Sequence, residues 1–388
     1  MQPITPTENP AGKKQNRIRG LDTLRALAIV LVLCNHYAVV VTQEETFGLL
    51  TRWGWAGVDL FFVLSGYLIG SQIMAPLSHG RPFVFRTFMA RRFLRTLPNY
   101  YVILVIYFLF PRELADKTTA ASWQFLTFTQ NFSFTHWGQT FSHSWSLCIE
   151  EQFYLILPLV TLIVTRLRWS LPLSWGLAIA GIVVGMAIRA WCWMHLDLAA
   201  DGAAFYYSSL TRFDELLPGV LIAILQFFRP ALFKKVIGHA TLLIFGGLAF
   251  VMLALFWFGD GQIPDALPVA ILGYPMLAAG FAMLVLSSLN PASRLNRIRL
   301  PGAAWLASWS YAVYLTHKPI FKLMLGPLHA AGISVGALPG IIIIMTAGIG
   351  GGWALFRLVE TPFMRLRSHW FPTRSTDTHR EVPAFSHT

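Results

Sequence analysis

Apolar runs near the length of a bilayer crossing recur along the whole chain, at about 24–41, 57–75, 97–111, 144–165, 171–194, 213–228, 240–258, 267–289, 303–325 and 334–357. A helix needs about 20 predominantly apolar residues to span the hydrocarbon core. In that medium the backbone has to satisfy its own hydrogen bonds, and a single helix does so within one segment. The expected fold class is therefore all-α, a polytopic membrane helix bundle of about ten transmembrane helices. The 12% charged residues against 55% hydrophobic agree with this, since soluble domains carry roughly twice that charged fraction. The third and sixth runs are the shortest.

The basic residues fix an orientation. Twenty-one of the 30 Lys and Arg fall in segments that would face one side if the spans alternate from a cytoplasmic N-terminus, and only Arg52, Arg112 and Lys117 fall in the opposite loops. Cytoplasmic loops carry such an excess, so both termini are expected in the cytoplasm, in a multi-pass protein of a bacterial inner membrane. The expected organisation is a disordered N-terminus over 1–16, a membrane domain over 17–366 and a disordered cytoplasmic tail over 367–388. The opening residues lack a short apolar core with a cleavage site, so the first span is expected to act as an uncleaved anchor. The net charge of +12 does not point to nucleic acid, because the cations lie in short loops where topology puts them. Cys34, Cys148 and Cys192 match no metal motif and no disulfide framework. Gly350, Gly351 and Gly352 in the last span suit close helix contact better than phosphate binding.

Ionisable residues inside spans are costly and mark sites or pathways. Arg25 and His36 lie eleven apart in the first run. Eleven helical steps are about three turns, so the two share a face and stand roughly 16 Å apart along it. On the expected topology, Arg25, the Arg86–Arg95 group and Glu360 form an inner, mostly cationic layer. An outer layer mixes His36, His143 and His317 with Asp59, Glu150, Asp214 and Glu215, together with Arg212. Arginines facing the cytosol suit phosphates, and imidazoles beside carboxylates suit acid–base work. Each residue also has a purely structural role available. Asp59 could cap its helix, Arg212 and Asp214 could form an interfacial ion pair, and His317 could end its helix. Of adjacent Glu150 and Glu151, only one is expected to face inward, and Glu150 is the choice. The aromatic series Trp123, Phe125, Phe128, Phe132, Phe134, Trp137 and Phe141 suits an interfacial belt or re-entrant segment, or a surface for stacking on a sugar.

These motifs resemble those of acyltransferase family 3, the integral membrane O-acyltransferases. RIRGLDTLRALAIVLVLCNHY resembles the family's first helix, with Arg25 and His36 in its Arg, ten residues, His pattern. GVDLFFVLSGYLIG, with Asp59, Ser65 and Gly66, resembles its second-helix signature. ARRFLRTLPNYY resembles its basic segment, and HSWSLCIEEQFYLILP its fourth motif, with Trp145, Ser146, Glu150, Phe153 and Tyr154. TRFDELLPGVLIA, YAVYLTHKPI and VETPF resemble weaker later signatures. The resemblance spans about residues 17 to 366, and the chain is expected to group with stand-alone members that lack an extracytoplasmic hydrolase-like domain.

The resemblance implies transfer of an acyl group, usually acetyl, from cytoplasmic acyl-CoA to a hydroxyl of an extracytoplasmic glycan, as in polysaccharide modification. No tightly bound cofactor and no metal are expected; acetyl-CoA is the donor substrate. Arg25, Arg91, Arg92 and Arg95 are expected to hold the nucleotide phosphates. His36 would serve as base or acyl relay, oriented by Glu150 or Asp59. His143, Trp145, Ser146, Arg212, Asp214 and His317 are expected to form the acceptor side. Two alternatives stay open: a transporter or flippase for a glycan or lipid-linked intermediate, and a macrolide or other small-molecule acceptor.

Overall fold

Each of the ten apolar runs folds as a helix. The computed structural model describes residues 18–114, 116–166 and 171–372, and among them every regular element is helical. The helices carrying the runs are α1 (Arg19–Tyr37), α2 (Ala56–Ser78), α3 (Phe85–Leu109), α4 (Trp145–Arg166), α5 (Leu171–His195), α6 (Leu217–Phe228), α7 (Ala240–Phe258), α8 (Leu267–Ser288), α9 (Ala303–Ala330) and α10 (Leu338–Leu355). Among the described residues, seven helical stretches are long and apolar enough to cross a membrane. An eighth counts if Ser209–Phe228 and Pro230–Gly238, bent by 118°, form one span. The bend falls at Pro230, whose ring and missing N–H prevent continuation of α6.

α3 and α9 are outside that set. The third span was expected at 97–111, but α3 starts twelve residues earlier and takes the basic segment into the helix. Arg86, Arg91, Arg92 and Arg95 lower its hydropathy, and Arg92 is nevertheless buried. α9 carries His317, Lys318 and Lys322. α10 runs through a π-turn, Phe356–Glu360, into a last helix, Thr361–Trp370, so residues 367–370 of the expected tail are helical. The expected disordered N-terminus, 1–16, and the rest of the expected tail, 373–388, lie outside the described residues.

α1 sits centrally, packed against α2 and α9; α2 also packs on α6, α7 on α8, and α9 on α10. In lipid, close backbone approach replaces the hydrophobic drive between helices. Gly66 of α2 and Gly219 of α6 face each other's backbones, so that a Cβ at Gly219 would collide with Val63 O and Tyr67 N. Gly219→Ala should therefore cost about 1–3 kcal/mol of stability, seen as a lowered thermal midpoint of the purified protein. Of the three glycines in α10, Gly352 lies against Val313 and Gly351 against Ile320, while Gly350 faces open space. The expectation of helix contact thus holds for two of the three.

The aromatic loop before α4 divides. Phe125, Phe128, Phe134 and Phe141 are buried, whereas Trp123, Phe132 and Trp137 are exposed. Phe128 stacks on Tyr100 at 4.2 Å, and Phe141 packs on Tyr107 at 4.8 Å. Both phenylalanines hold positive φ, +55° and +53°, a region that bulky residues rarely adopt. Phe141 immediately precedes the turn Ser142–Ser144, which presents His143 to the bundle interior.

Candidate active site

Arg25 and His36 both turn into the bundle, at two cavities that have Val58 of α2 in both their walls. The shared face expected from their spacing is the face of α1 that looks inward. The cavity at Arg25, about 90 Å³, lies between α1, α2, α3, α4 and α9, and the cavity at His36 is about 110 Å³.

The arginine cavity collects Arg25, Arg92 and Arg95. Arg91 is not among them. Its Nη1 donates to the Phe371 carbonyl at 3.0 Å, because on α3 it points about 100° away from Arg92. Glu150 was expected in the outer layer with His36, but it lines the arginine cavity instead. It stands five residues into α4, which carries it about 7.5 Å along the axis, and it accepts the Tyr154 hydroxyl. Glu151 lines the same cavity. Only one of the pair was expected inside, but the cavity is bounded by both α2 and α3, so it reaches two adjacent faces of α4. Tyr154 also receives the Arg92 guanidinium over its ring at 4.9 Å and lies 3.3 Å from Ser65 Oγ. Arg95 remains open to the cavity, with Glu360 held beside it by Asn99 at 2.9 Å.

At the other end three histidines from three helical elements converge. His36 Nδ1 lies 2.7 Å from His317 Nε2, with the rings stacked at 4.9 Å. His143 stands edge-on to His317 at 5.2 Å and to His36 at 6.4 Å. Carbonyl partners determine the neutral tautomers. His317 Nδ1 faces the Val313 carbonyl at 3.1 Å, so it carries the proton and Nε2 accepts. His36 Nδ1 therefore donates to His317, leaving His36 Nε2 with a free lone pair. His143 Nε2 donates to the Leu315 carbonyl at 3.1 Å, and its buried Nδ1 has no partner among the described residues. His317, not Glu150 or Asp59, is thus the group that orients His36. Ser146 Oγ lies 2.7 Å from Tyr314 Oη, which donates to the His143 carbonyl at 2.7 Å. Ser146, expected on the acceptor side, lines the arginine cavity rather than the His36 cavity.

Asp59 belongs to a separate buried charge network. Its Oδ1 takes Arg212 Nη2 at 2.8 Å, and Arg212 also pairs with Glu215. The Arg212 guanidinium lies over Tyr274 at 4.1 Å, Tyr206 at 4.6 Å and Trp145 at 5.2 Å. Asp214 does not pair with Arg212, since Arg189 binds it bidentately at 2.6 and 2.8 Å. Neither Arg212 nor Asp214 lines the His36 cavity; Arg212 braces Trp145 and Tyr206, which do.

Residues 18–357 match the family model described as an acyltransferase domain. The chain belongs to acyltransferase family 3. It is 28% identical over 370 residues to the peptidoglycan O-acetyltransferase OatA of Listeria monocytogenes, covering 90% of the chain and 56% of the relative. It is 30% identical over 335 residues to a Bacillus subtilis protein named "Putative peptidoglycan O-acetyltransferase YrhL", covering 79% of the chain and 49% of the relative. The chain thus spans about half the length of the curated relatives it matches. No solved structure matches it.

Sequence reasoning brought Arg25, Arg92, Arg95, His36, His143 and Trp145 to the two cavities, and His317 to the back of His36. It missed Arg189, an intramembrane charge that the cost of burial should have flagged, and Lys318 beside His317. It also missed Tyr206 and Tyr207, which line the His36 cavity from the helix Leu198–Tyr207. No charge or period in the sequence marks that short helix as part of a site.

Proposed function

We propose that this acyltransferase moves an acetyl group from cytoplasmic acetyl-CoA to a hydroxyl of an extracytoplasmic glycan, with His36 Nε2 as the general base. One observation carries the reading: the chain Val313 carbonyl, His317, His36 leaves a basic nitrogen free at a cavity that adjoins the arginine-lined one. Arg25, Arg92 and Arg95 take the nucleotide phosphates by charge-assisted hydrogen bonds. The pantetheine arm runs past Val58 and delivers the thioester to His36. The acceptor hydroxyl gives its proton to His36 Nε2 as its oxygen attacks the thioester carbon. The C–S bond then breaks, and the proton passes to the departing sulfur. His143 Nδ1 accepts from a neighbouring sugar hydroxyl, and Trp137, Trp145, Tyr206 and Tyr207 supply stacking faces for the sugar. The names of the two relatives support a peptidoglycan acceptor.

The test uses purified full-length protein with acetyl-CoA and peptidoglycan fragments. Thiol release that depends on the glycan, with acetyl found as an ester on the sugar, is the expected result. A protein that moves glycan across vesicles and releases no thiol would instead be a transporter. Arg95→Ala removes one phosphate contact worth about 1.5–3 kcal/mol. It should raise the KM for acetyl-CoA about 10–100-fold with little change in kcat.

A further inference from the structure

The reaction proposed above puts a negative charge on the thioester carbonyl oxygen while the tetrahedral intermediate lasts. That oxygen is bound to the carbon under attack, so it sits in the cavity that holds His36 Nε2. Stabilising such a charge with preorganised donors is usually the largest single contribution to acyl transfer.

One side chain lining that cavity brings a full positive charge together with its donors. Among the described residues no carboxylate lines it, and Lys318 is its sole Lys or Arg. The Lys318 ammonium donates to Ser142 Oγ at 2.9 Å. Among the described residues no carboxylate pairs with it, in contrast to Arg189 and Lys322, which each have one, and Arg212, which has two. Desolvating a cation with no counter-ion is costly, and such charges inside membrane proteins face a ligand path. An ammonium has three donors, so the bond to Ser142 fixes its position and leaves donors for a second oxygen. A further donor lines the same cavity: Trp55 Nε1 is buried with no partner among the described residues.

We propose that Lys318 is a catalytic residue of this acyltransferase, its ammonium tethered by Ser142 and held to receive the carbonyl oxygen of the acyl donor as that oxygen becomes negative. As the acceptor oxygen bonds to the carbonyl carbon, the C=O π pair moves to the oxygen beside Lys318 and the hydroxyl proton goes to His36. On collapse the pair returns, the C–S bond breaks and sulfur takes the proton from His36. Lys318 keeps its own protons throughout. It lies one residue from the histidine that orients the base, so α9 would place both functions at one level of the bundle.

This inference rests on the acyl-transfer reading, and wild-type protein separates the two. If wild type releases no glycan-dependent thiol, the parent reading fails before any variant is compared. If it does, K318M is measured with saturating acetyl-CoA and glycan. Loss of one oxyanion donor should lower kcat about 10²–10³-fold. The KM values for both substrates and the thermal midpoint should stay within about twofold and a few degrees of wild type. K318R, which restores a cation, should recover part of kcat. Wild-type kcat in K318M would overturn the proposal. So would a change confined to the glycan KM, which would make Lys318 an anchor for an anionic acceptor. Failure of both K318M and K318Q to fold would also overturn it, making the ammonium structural.

Discussion

Substitution of His36 by asparagine should lower kcat for glycan acetylation by about 10²–10⁴-fold, the usual contribution of a positioned general base. Asparagine is the informative choice because its Nδ2 can stand where His36 Nδ1 stands and still donate to His317 Nε2. What it lacks is the second nitrogen, the one with the free lone pair. A stability change should therefore be small, and the loss should appear in kcat rather than in the KM for acetyl-CoA, whose phosphates are proposed to bind at the other cavity. The measurement is glycan-dependent thiol release alongside the thermal midpoint. Full activity in His36→Asn would remove the base from the mechanism and leave the histidine cluster as a packing device.

The largest stability effect is expected at Arg212. Its guanidinium is fully buried, pairs with Asp59 and Glu215, and lies over three aromatic rings. Arg212→Met leaves two carboxylates without their cation, and removing one partner of a buried ion pair costs about 3–5 kcal/mol. The thermal midpoint of the purified protein should fall accordingly. The triple variant Arg212→Met, Asp59→Asn, Glu215→Gln removes the stranded charges and should recover most of that loss, since neutral replacement of a whole buried network is often tolerated. No recovery in the triple variant would assign the effect to packing on Tyr274, Tyr206 and Trp145 rather than to charge. Because Trp145 and Tyr206 line the His36 cavity, Arg212→Met should also raise the KM for the glycan.

The sequence was most informative where the relevant physics is local. The period of a helix put Arg25 and His36 on one face, and that face is the one turned inward. It was least informative where a residue chooses a partner on another helix. Glu150 was placed with His36 by its distance from a span end, but its depth in α4 carries it to Arg25, Arg92 and Arg95. Arg91 and Arg92 look equivalent in the basic segment, but helix rotation sends the first to Phe371 and the second to Tyr154. Arg212 and Asp214 are two residues apart and of opposite charge, yet each pairs elsewhere, with Asp59 and Arg189 respectively.

The amino-acid sequence determined that this chain is a bundle of membrane helices and that its first helix aims a cation and an imidazole inward. Both follow from hydrophobic length and from 100° per residue, quantities that need no knowledge of neighbours. Only the tertiary structure decided that His317, 281 residues away, orients His36. It also brought the ammonium of Lys318 to the same cavity, and put Asp59 in a brace with Arg212. Such pairings depend on which helices pack together and at what rotation. In lipid that is settled by close contacts such as Gly66 with Leu216 and Gly219 with Val63, which no local pattern encodes.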